Sequence, residues 1–353
     1  MKKGLPEFSM GGRAVGKAHP PLIIAEMGIN HEGNFERAKE IIYAASVAGA
    51  ECFKCQSHVV EGEMVSREAM LGVVPKHANG DNVWDILVRC AFSEEEDRAL
   101  KEYVESLGMI YLCTPFSREA VDRLVRMNVH TFKIGSGECN NGPLVDYIAS
   151  FGKPIILSTG MNNLTSVGKT VGIIRKYNIP FALLNCTSMY PTPYDKVRLG
   201  GIKELEEMFP DAVVGQSDHS LGNYTAFAAA ALGGSIIEKH FTSDKTLPGP
   251  DMIVSIDPPE LTDLVRGVRA IFDARGGSKE ILSEERDIID FAYACVVSVR
   301  DIKKGEVFTK DNIWVKRPNT GEISVGQFES VLGEVATSDI PKNTQIRWSQ
   351  IGV

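Results

Sequence analysis

The chain has 353 residues, 43% of them hydrophobic and 24% charged, with a formal net charge of −8. That length can bury a full core and has room for one large α/β domain plus a smaller one, and the composition is ordinary for a globular protein rather than a disordered one. The acidic balance argues against a nucleic-acid or anionic-membrane surface as the main partner, because such sites need a positive face; a small anionic substrate in a local basic pocket stays open.

No run of roughly 18 apolar residues occurs, so no membrane-spanning helix is expected. The opening stretch "MKKGLPEFSMGGRAVGKAHP" is basic but lacks the apolar core of a signal peptide, so the expected location is the cytoplasm. Seven cysteines, an odd number spread through apolar segments, fit reduced and buried thiols better than a disulfide framework. Cys52 and Cys55 form a C-x-x-C, but three positions apart on a strand they point to opposite faces.

In chain order, the first apolar run, 22–26, reads as a strand ending on Glu26, followed by a helix over 34–48. The second strand, 51–56, carries Lys54 and Gln56 near its end. Residues 57–108 exceed what one crossover needs, so a loop insertion and two helices, around 83–91 and 93–106, are expected there. Strands at 109–114, 131–135, 154–159, 180–187, 212–217 and 235–240 follow, with helices at 117–127, 164–177 and 223–232 among them. Eight strands alternating with helices specify an α/β fold, a (β/α)₈ TIM barrel, finished by a helix over 258–275. The text then changes. "GGSKEILSEERD" is a polar linker, and short β-branched runs alternate with turns to the end, as in a small β-rich domain near the lower size limit for folding alone. The expected division is an N-terminal extension (1–20), a barrel (21–275), a linker (276–290) and the β-rich domain (291–353).

In such a barrel the active site gathers at the C-terminal ends of the strands. Read in order, those ends offer Glu26, then Lys54 and Gln56, Thr114, then Lys133, Ser136 and Glu138, then Ser158, then Asn185, Thr187 and Ser188, then Ser217, Asp218 and His219, and finally Glu238 and His240. His219 and His240 end two consecutive strands, so their imidazoles can converge; that suits a divalent transition metal whose other positions stay open, whereas a lone strand histidine is commonly structural. Without a cysteine cluster beside them, a closed structural zinc site is not expected. Lys54 and Lys133, with the hydroxyls of Thr114, Ser136, Ser158, Ser188 and Ser217, suit a phosphate; the competing reading makes one lysine a Schiff-base nucleophile. Glu26 can act as general base or bind a sugar hydroxyl. The glycines of "GINHEG" can simply make a turn, with His31 structural, and the proline-rich "YPTPYDKVRL" and "LPGPD" can fix Tyr190 and Asp251 over the mouth or be plain rigid loops.

Taken together, "AEMGINHEG", "KIGSGECNN", "KPIILSTGMN", "CTSMYPTPYDKVRLGG", "GQSDHS", "GGSIIEKHFT" and "PGPD" resemble the sialic acid synthase family, the bacterial enzymes that condense phosphoenolpyruvate with N-acetylmannosamine and water to N-acetylneuraminate and phosphate. The tail "VVSVRDIKKGEVFTKDNIWVKRP" is similar to the antifreeze-like (SAF) domain that closes those enzymes. The resemblance runs from about Pro21 to the end and implies roles. His219 and His240 would hold the metal, usually Mn²⁺, with Mg²⁺ or Co²⁺ as alternatives. Lys54, Thr114, Lys133, Ser136, Ser158 and Ser217 would bind phosphoenolpyruvate and Glu26 would be the catalytic carboxylate. Gln56, Tyr190 and Asp251 would contact the acceptor sugar, joined by Phe291 and Arg317 from the other subunit of a domain-swapped homodimer. Where relatives often read "HCTN", this chain has Asn185-Cys186-Thr187-Ser188, so a hydroxyl at Ser188 replaces an amide that contacts phosphoenolpyruvate, and Asn185 offers partial compensation. Glu138 and Glu238 are expected to support the site, and Lys239, facing the other way, to be structural.

The implied reaction begins with the metal polarising the aldehyde of the open-chain sugar for attack by C3 of phosphoenolpyruvate. Water then adds at C2, with Glu26 moving the proton, and phosphate leaves by C–O cleavage. Rival readings are a legionaminate or pseudaminate synthase using a diacetamido sugar, an enzyme using 6-phosphorylated N-acetylmannosamine, a metal-free aldolase built on Lys133, and a carbohydrate- or ice-surface-binding protein.

Overall fold

The computed structural model describes residues 5–74 and 81–352. The chain opens with an antiparallel hairpin, β1 (Glu7–Met10) and β2 (Arg13–Gly16). Eight parallel strands follow: β3 (Leu22–Glu26), β4 (Cys52–Ser57), β5 (Ile110–Pro115), β6 (Phe132–Ile134), β7 (Ile155–Ser158), β8 (Phe181–Cys186), β9 (Val213–Asp218) and β10 (Ile236–His240). They form a closed barrel in chain order, with β10 pairing β3 to complete it. The eight strands are those expected, with ends shifted by one or two residues.

Alternation along each strand sorts the side chains. Ile23, Ala25, Phe53, Cys55, Tyr111, Cys113, Leu157, Leu183, Val214 and Ile237 face outward into the layer between strands and helices. Leu22, Ile24, Cys52, Leu112, Ile156, Ala182, Leu184, Val213 and Ile236 face inward and form one apolar cluster with Phe8, Met10 and Val15 of the hairpin. The opening segment, expected only as an extension, therefore contributes core: its alternating exposed and buried residues seal the barrel interior. Cys52 and Cys55 lie on opposite sides of β4, as their spacing requires, and all seven cysteines are buried and unpaired.

Helices cover the outside. Those at Phe35–Val47, Glu94–Ser106, Arg118–Arg126, Leu164–Arg175 and Pro258–Ala274 start where Asn34, Ser93, Ser117, Asn163 and Asp257 accept a backbone N–H from the first turn. Two further helices, Gly142–Ala149 and Gly200–Met208, escaped the sequence reading because each opens on weak helix formers, Gly142-Pro143 and Gly200-Gly201. Proline at a first turn has no N–H to lose, so it does not prevent a helix.

The chain divides into two compact units, with the boundary after Gly276. The second unit packs β11 (Cys295–Ser298) against β12 (Ile313–Lys316) and β13 (Val335–Ala336) against β14 (Ile351–Gly352), both pairs antiparallel. Its own core gathers Val296, Ile302, Phe308, Ile313, Ile323, Val331, Ala336, Ile340 and Ile346. The stretch read as a linker is partly helical: a helix spans Arg286–Ala292 and carries Phe291, 66% exposed. Among the described residues no helix is long and apolar enough to cross a membrane.

Candidate active site

The inward positions that close the apolar interior change character near the strand ends. Continuing the same parity, Glu26 follows Ile24, Lys54 follows Cys52, Thr114 follows Leu112, Ser158 follows Ile156 and Glu238 follows Ile236. These five, with Gln56, Lys133, Ser136, Ser188, Tyr190, Ser217, His219 and His240, line one cavity of about 320 Å³ at the C-terminal mouth. Phe116, Met161, Gly135 and Gly137 complete its wall. The sequence reading missed Phe116 and Met161; Phe116 directly follows β5, and that position was the available signal.

Charges in the mouth are paired. Lys54 Nζ lies 3.0 Å from Glu26 Oε2 and 3.4 Å from Glu238 Oε1, and Lys133 Nζ lies 3.6 Å from Glu238 Oε1. Lys133 donates to Ser158 Oγ at 2.7 Å, and Ser217 Oγ donates to Glu238 at 2.9 Å. Burial opposes ionisation of Glu238, but Lys133 and Lys54 outweigh it and hold the carboxyl down to about 2. Burial likewise opposes the charge on Lys54, yet Glu238 and Glu26 more than offset it and raise its pKa. Lys133 falls the other way: burial, helped by the nearby charge of Lys54, draws it down to about 8 against the pull of Glu238. The two lysines are thus not free cations, since Glu26 and Glu238 already balance them. An incoming anion gains a buried, preorganised set of donors and hydroxyls more than a net positive charge.

The imidazoles of His219 and His240 stand with ring centroids 5.4 Å apart, and the ring of Tyr190 lies 4.2 Å from that of His219. Nδ1 of His219 donates to the carbonyl of Thr187 at 2.9 Å, which fixes the tautomer and leaves Nε2 for a ligand. Nδ1 of His240 is buried without a hydrogen-bond partner and lies 3.7 Å from Asp251 Oδ2, the carboxylate–histidine pairing common around metal ligands. Burial lowers the pKa of His240, in keeping with the neutral form a metal ligand requires. His219 is shifted upward, its burial outweighed by Cys186, the Thr187 carbonyl and Glu238. Among the described residues no group of three metal-ligating side chains forms, so these donors fit a cation that shares its coordination with substrate or water.

Asp251 is held by the backbone N–H of Ile29 at 3.2 Å and lies above Gly28, where a Cβ would come within 2.3 Å of its Oδ2. It also lines a second, largely apolar cavity of about 480 Å³ that shares Ser188 and Tyr190 with the mouth. Ile29, Ile86, Leu87, Met189 and Pro191 form its apolar walls.

Two expected placements differ. Glu138, on a 3-10 turn over Gly137–Asn140, accepts from Asn141 at 2.7 Å and lines a neighbouring cavity with Glu63 and Arg118 that shares Phe116 with the mouth. Asn185 has outward parity, donating to Gln216 at 2.8 Å, so it does not compensate for the hydroxyl at Ser188. Gln56 lines the mouth, but its Nε2 is engaged with Glu26 Oε1 at 2.8 Å. Lys239 and Asp218 form a buried outward pair at 3.1 Å, as the strand alternation requires. His31 is structural in its contacts: its Nδ1 accepts from the N–H of Gly33, its ring stacks on Phe92, and burial above all pushes it down to about 3. Phe291 and Arg317 both belong to the second unit and are exposed.

Residues 41–280 match the model of the NeuB family, and residues 293–352 match that of the SAF domain. An uncharacterized protein of Methanocaldococcus jannaschii is 37% identical over 349 residues, covering 98% of this chain and 99% of its own. The N,N'-diacetyllegionaminic acid synthase of Campylobacter jejuni subsp. jejuni is 36% identical over 333 residues, covering 92% of this chain and 98% of its own. Among solved structures, the N-acetylneuraminic acid (sialic acid) synthetase of Leptospira borgpetersenii, in complex with citrate, is similar with a TM-score of 0.73 at 30% identity, covering 81% of this chain and 95% of that one. The chain therefore belongs to the NeuB family, with a TIM-type barrel followed by a SAF domain.

Proposed function

We propose that the protein is an N-acetylneuraminate synthase, a transferase that condenses phosphoenolpyruvate with N-acetylmannosamine and water and releases phosphate. The observation that carries this reading is the cavity in which Lys54, Lys133, five serine and threonine hydroxyls, Glu26 and the two histidines meet. Lys133 and Ser158, with Lys54, Thr114, Ser136, Ser188 and Ser217, hold the phosphate and carboxylate of phosphoenolpyruvate in the floor of the mouth. Tyr190 and Asp251 hold the acceptor at the rim, beside the apolar cavity that takes its acetamido methyl. His219 and His240 would hold a divalent metal, Mn²⁺ in this reading, which would supply electrophilic polarisation of the aldehyde oxygen.

C3 of phosphoenolpyruvate bonds to the aldehyde carbon, and the cation developing at C2 faces Glu26 and Glu238. Glu26 takes a proton from the water that adds at C2 and passes it to the former aldehyde oxygen, and the C2–O bond to phosphate breaks as the carbonyl forms, the remaining hydroxyl proton leaving with the phosphate. The exposed Phe291 and Arg317 serve the acceptor from the small domain of a second copy in a domain-swapped homodimer, and the cytoplasm is the proposed location.

A diacetamido sugar leading to legionaminic or pseudaminic acid is the second acceptor reading, favoured by the apolar walls beside Asp251 and by the relative named a legionaminic acid synthase. Phosphate release from phosphoenolpyruvate, measured after EDTA stripping with and without Mn²⁺ and with each sugar, tests both. Metal- and N-acetylmannosamine-dependent release is expected. Release only with a diacetamido sugar would move the assignment to that acceptor. Activity that survives EDTA, together with borohydride trapping of pyruvate on Lys133, would replace the mechanism with a Schiff-base aldolase.

A further inference from the structure

Directly beyond β4, His58 is buried and stacked on Phe116, a wall of the mouth, with ring centroids 4.6 Å apart. Its Nε2 lies 3.1 Å from Gln56 Oε1 and its Nδ1 lies 2.8 Å from Glu63 Oε2. The helical turn Val60–Glu63 brings that carboxylate back onto the ring. The chain continues inward, because Gln56 Nε2 donates to Glu26 Oε1 at 2.8 Å.

The directions of these bonds are fixed from the mouth outward. An ionised carboxylate only accepts, so Gln56 must present its NH₂ group to Glu26 and its carbonyl to His58. That carbonyl needs a donor, which His58 Nε2–H supplies. Nδ1 lies against the Glu63 carboxylate at 2.8 Å, which seats the ring from its other side. A Gln56 amide turned by half a rotation would set its carbonyl against Glu26 at hydrogen-bonding distance, oxygen against oxygen. Glu26 and His58 thus hold the amide from its two ends, and His58, seated against Glu63, fixes where the carbonyl end lies and with it the approach of the NH₂ group to Glu26.

We propose that His58, braced by Glu63, is a positioning residue that orients Gln56 and through it Glu26. This rests on the reading of Glu26 as the group that moves a proton at C2. His58→Ala is expected to lower kcat by about ten- to a hundredfold, as loss of an orienting neighbour does, and to leave the KM for phosphoenolpyruvate near wild type. His58→Gln, whose amide N–H can donate to Gln56, is expected to restore most of the rate. In a Gln56→Ala background, His58→Ala is expected to cost nothing further, since its effect runs through Gln56. The side-chain amide signals of Gln56, followed by NMR, read the same arrangement without turnover: a single fixed NH₂ pair in wild type and in His58→Gln, averaged in His58→Ala. Additive losses in the double variant, or an unchanged Gln56 signal in His58→Ala, would overturn the inference. A wild-type protein that releases no phosphate with any acceptor would sink the reading of the site, while the Gln56 signal would still decide the positioning chain.

Discussion

At the residue scale, burial gives Lys133 the most consequential charge in the mouth. Its pKa of about 8 stands below its ordinary value of 10.5, so it is mostly charged at pH 7 and loses its proton just above neutrality. Between about 8 and 10.5 the unfolded chain keeps this proton and the folded one does not, so this group's contribution to stability rises with pH across that window. Function runs the opposite way. The kcat/KM for phosphoenolpyruvate is expected to fall about tenfold per pH unit above pH 8, because that ratio reports the free enzyme. A flat profile to pH 10 would remove Lys133 from the anion site. Gly28 offers a second test: its φ of 54° lies in the left-handed region, and a Cβ there would meet both Asp251 and His240 Nδ1. Gly28→Ala is expected to abolish Mn²⁺-stimulated turnover and to lower the melting temperature. Wild-type metal binding by electron paramagnetic resonance in that variant would show that the two side chains need no such closeness.

At the element scale, strand parity decides which polar residues serve the mouth and which serve the frame. On β10, Glu238 and His240 face inward while Lys239, between them, pairs outward with Asp218 and donates to the carbonyl of Ser220 at 2.7 Å. Lys239→Met leaves Asp218 buried without its cation, so a loss of about 3 kcal/mol in unfolding free energy is expected, with kcat within about twofold of wild type. Glu238→Gln should do the reverse, costing turnover far more than stability. Denaturant unfolding and steady-state rates on the two variants check the pair, and a large kcat loss in Lys239→Met with unchanged stability would contradict the parity argument. The same alternation was legible in "SIIEKH" and, read strictly, would also have turned Asn185 outward, since Leu184 directly before it faces in. Glu138 was not legible in this way. A 3-10 turn beyond the strand end breaks the two-residue period, and its direction depends on contacts that a single sequence does not display.

At the scale of the whole molecule, the two units have separate cores, so the barrel is expected to fold without the SAF domain. A chain ending at Gly276 should bind phosphoenolpyruvate by calorimetry yet lose sugar-dependent phosphate release, and the full chain should sediment at twice its 38.6 kDa mass. Full activity in the truncated chain would remove Phe291 and Arg317 from the acceptor site. The order of eight strands, the helix starts at capping residues and the clustering of Glu26, Lys54, Lys133, His219 and His240 at one mouth were determined by the sequence alone. Periodicity and capping are local properties, and barrel closure then sends every inward strand end to the same place. Tertiary structure decided what no local pattern encodes. It brought Glu26 and Glu238 against the two lysines and joined Gln56 to His58 and Glu63. It also set Glu138 on a 3-10 turn against Asn141 and folded the opening residues into a hairpin that seals the barrel. Each of these depends on which side chains meet across the barrel or beyond a strand end, and burial there sets both their charge and their partners.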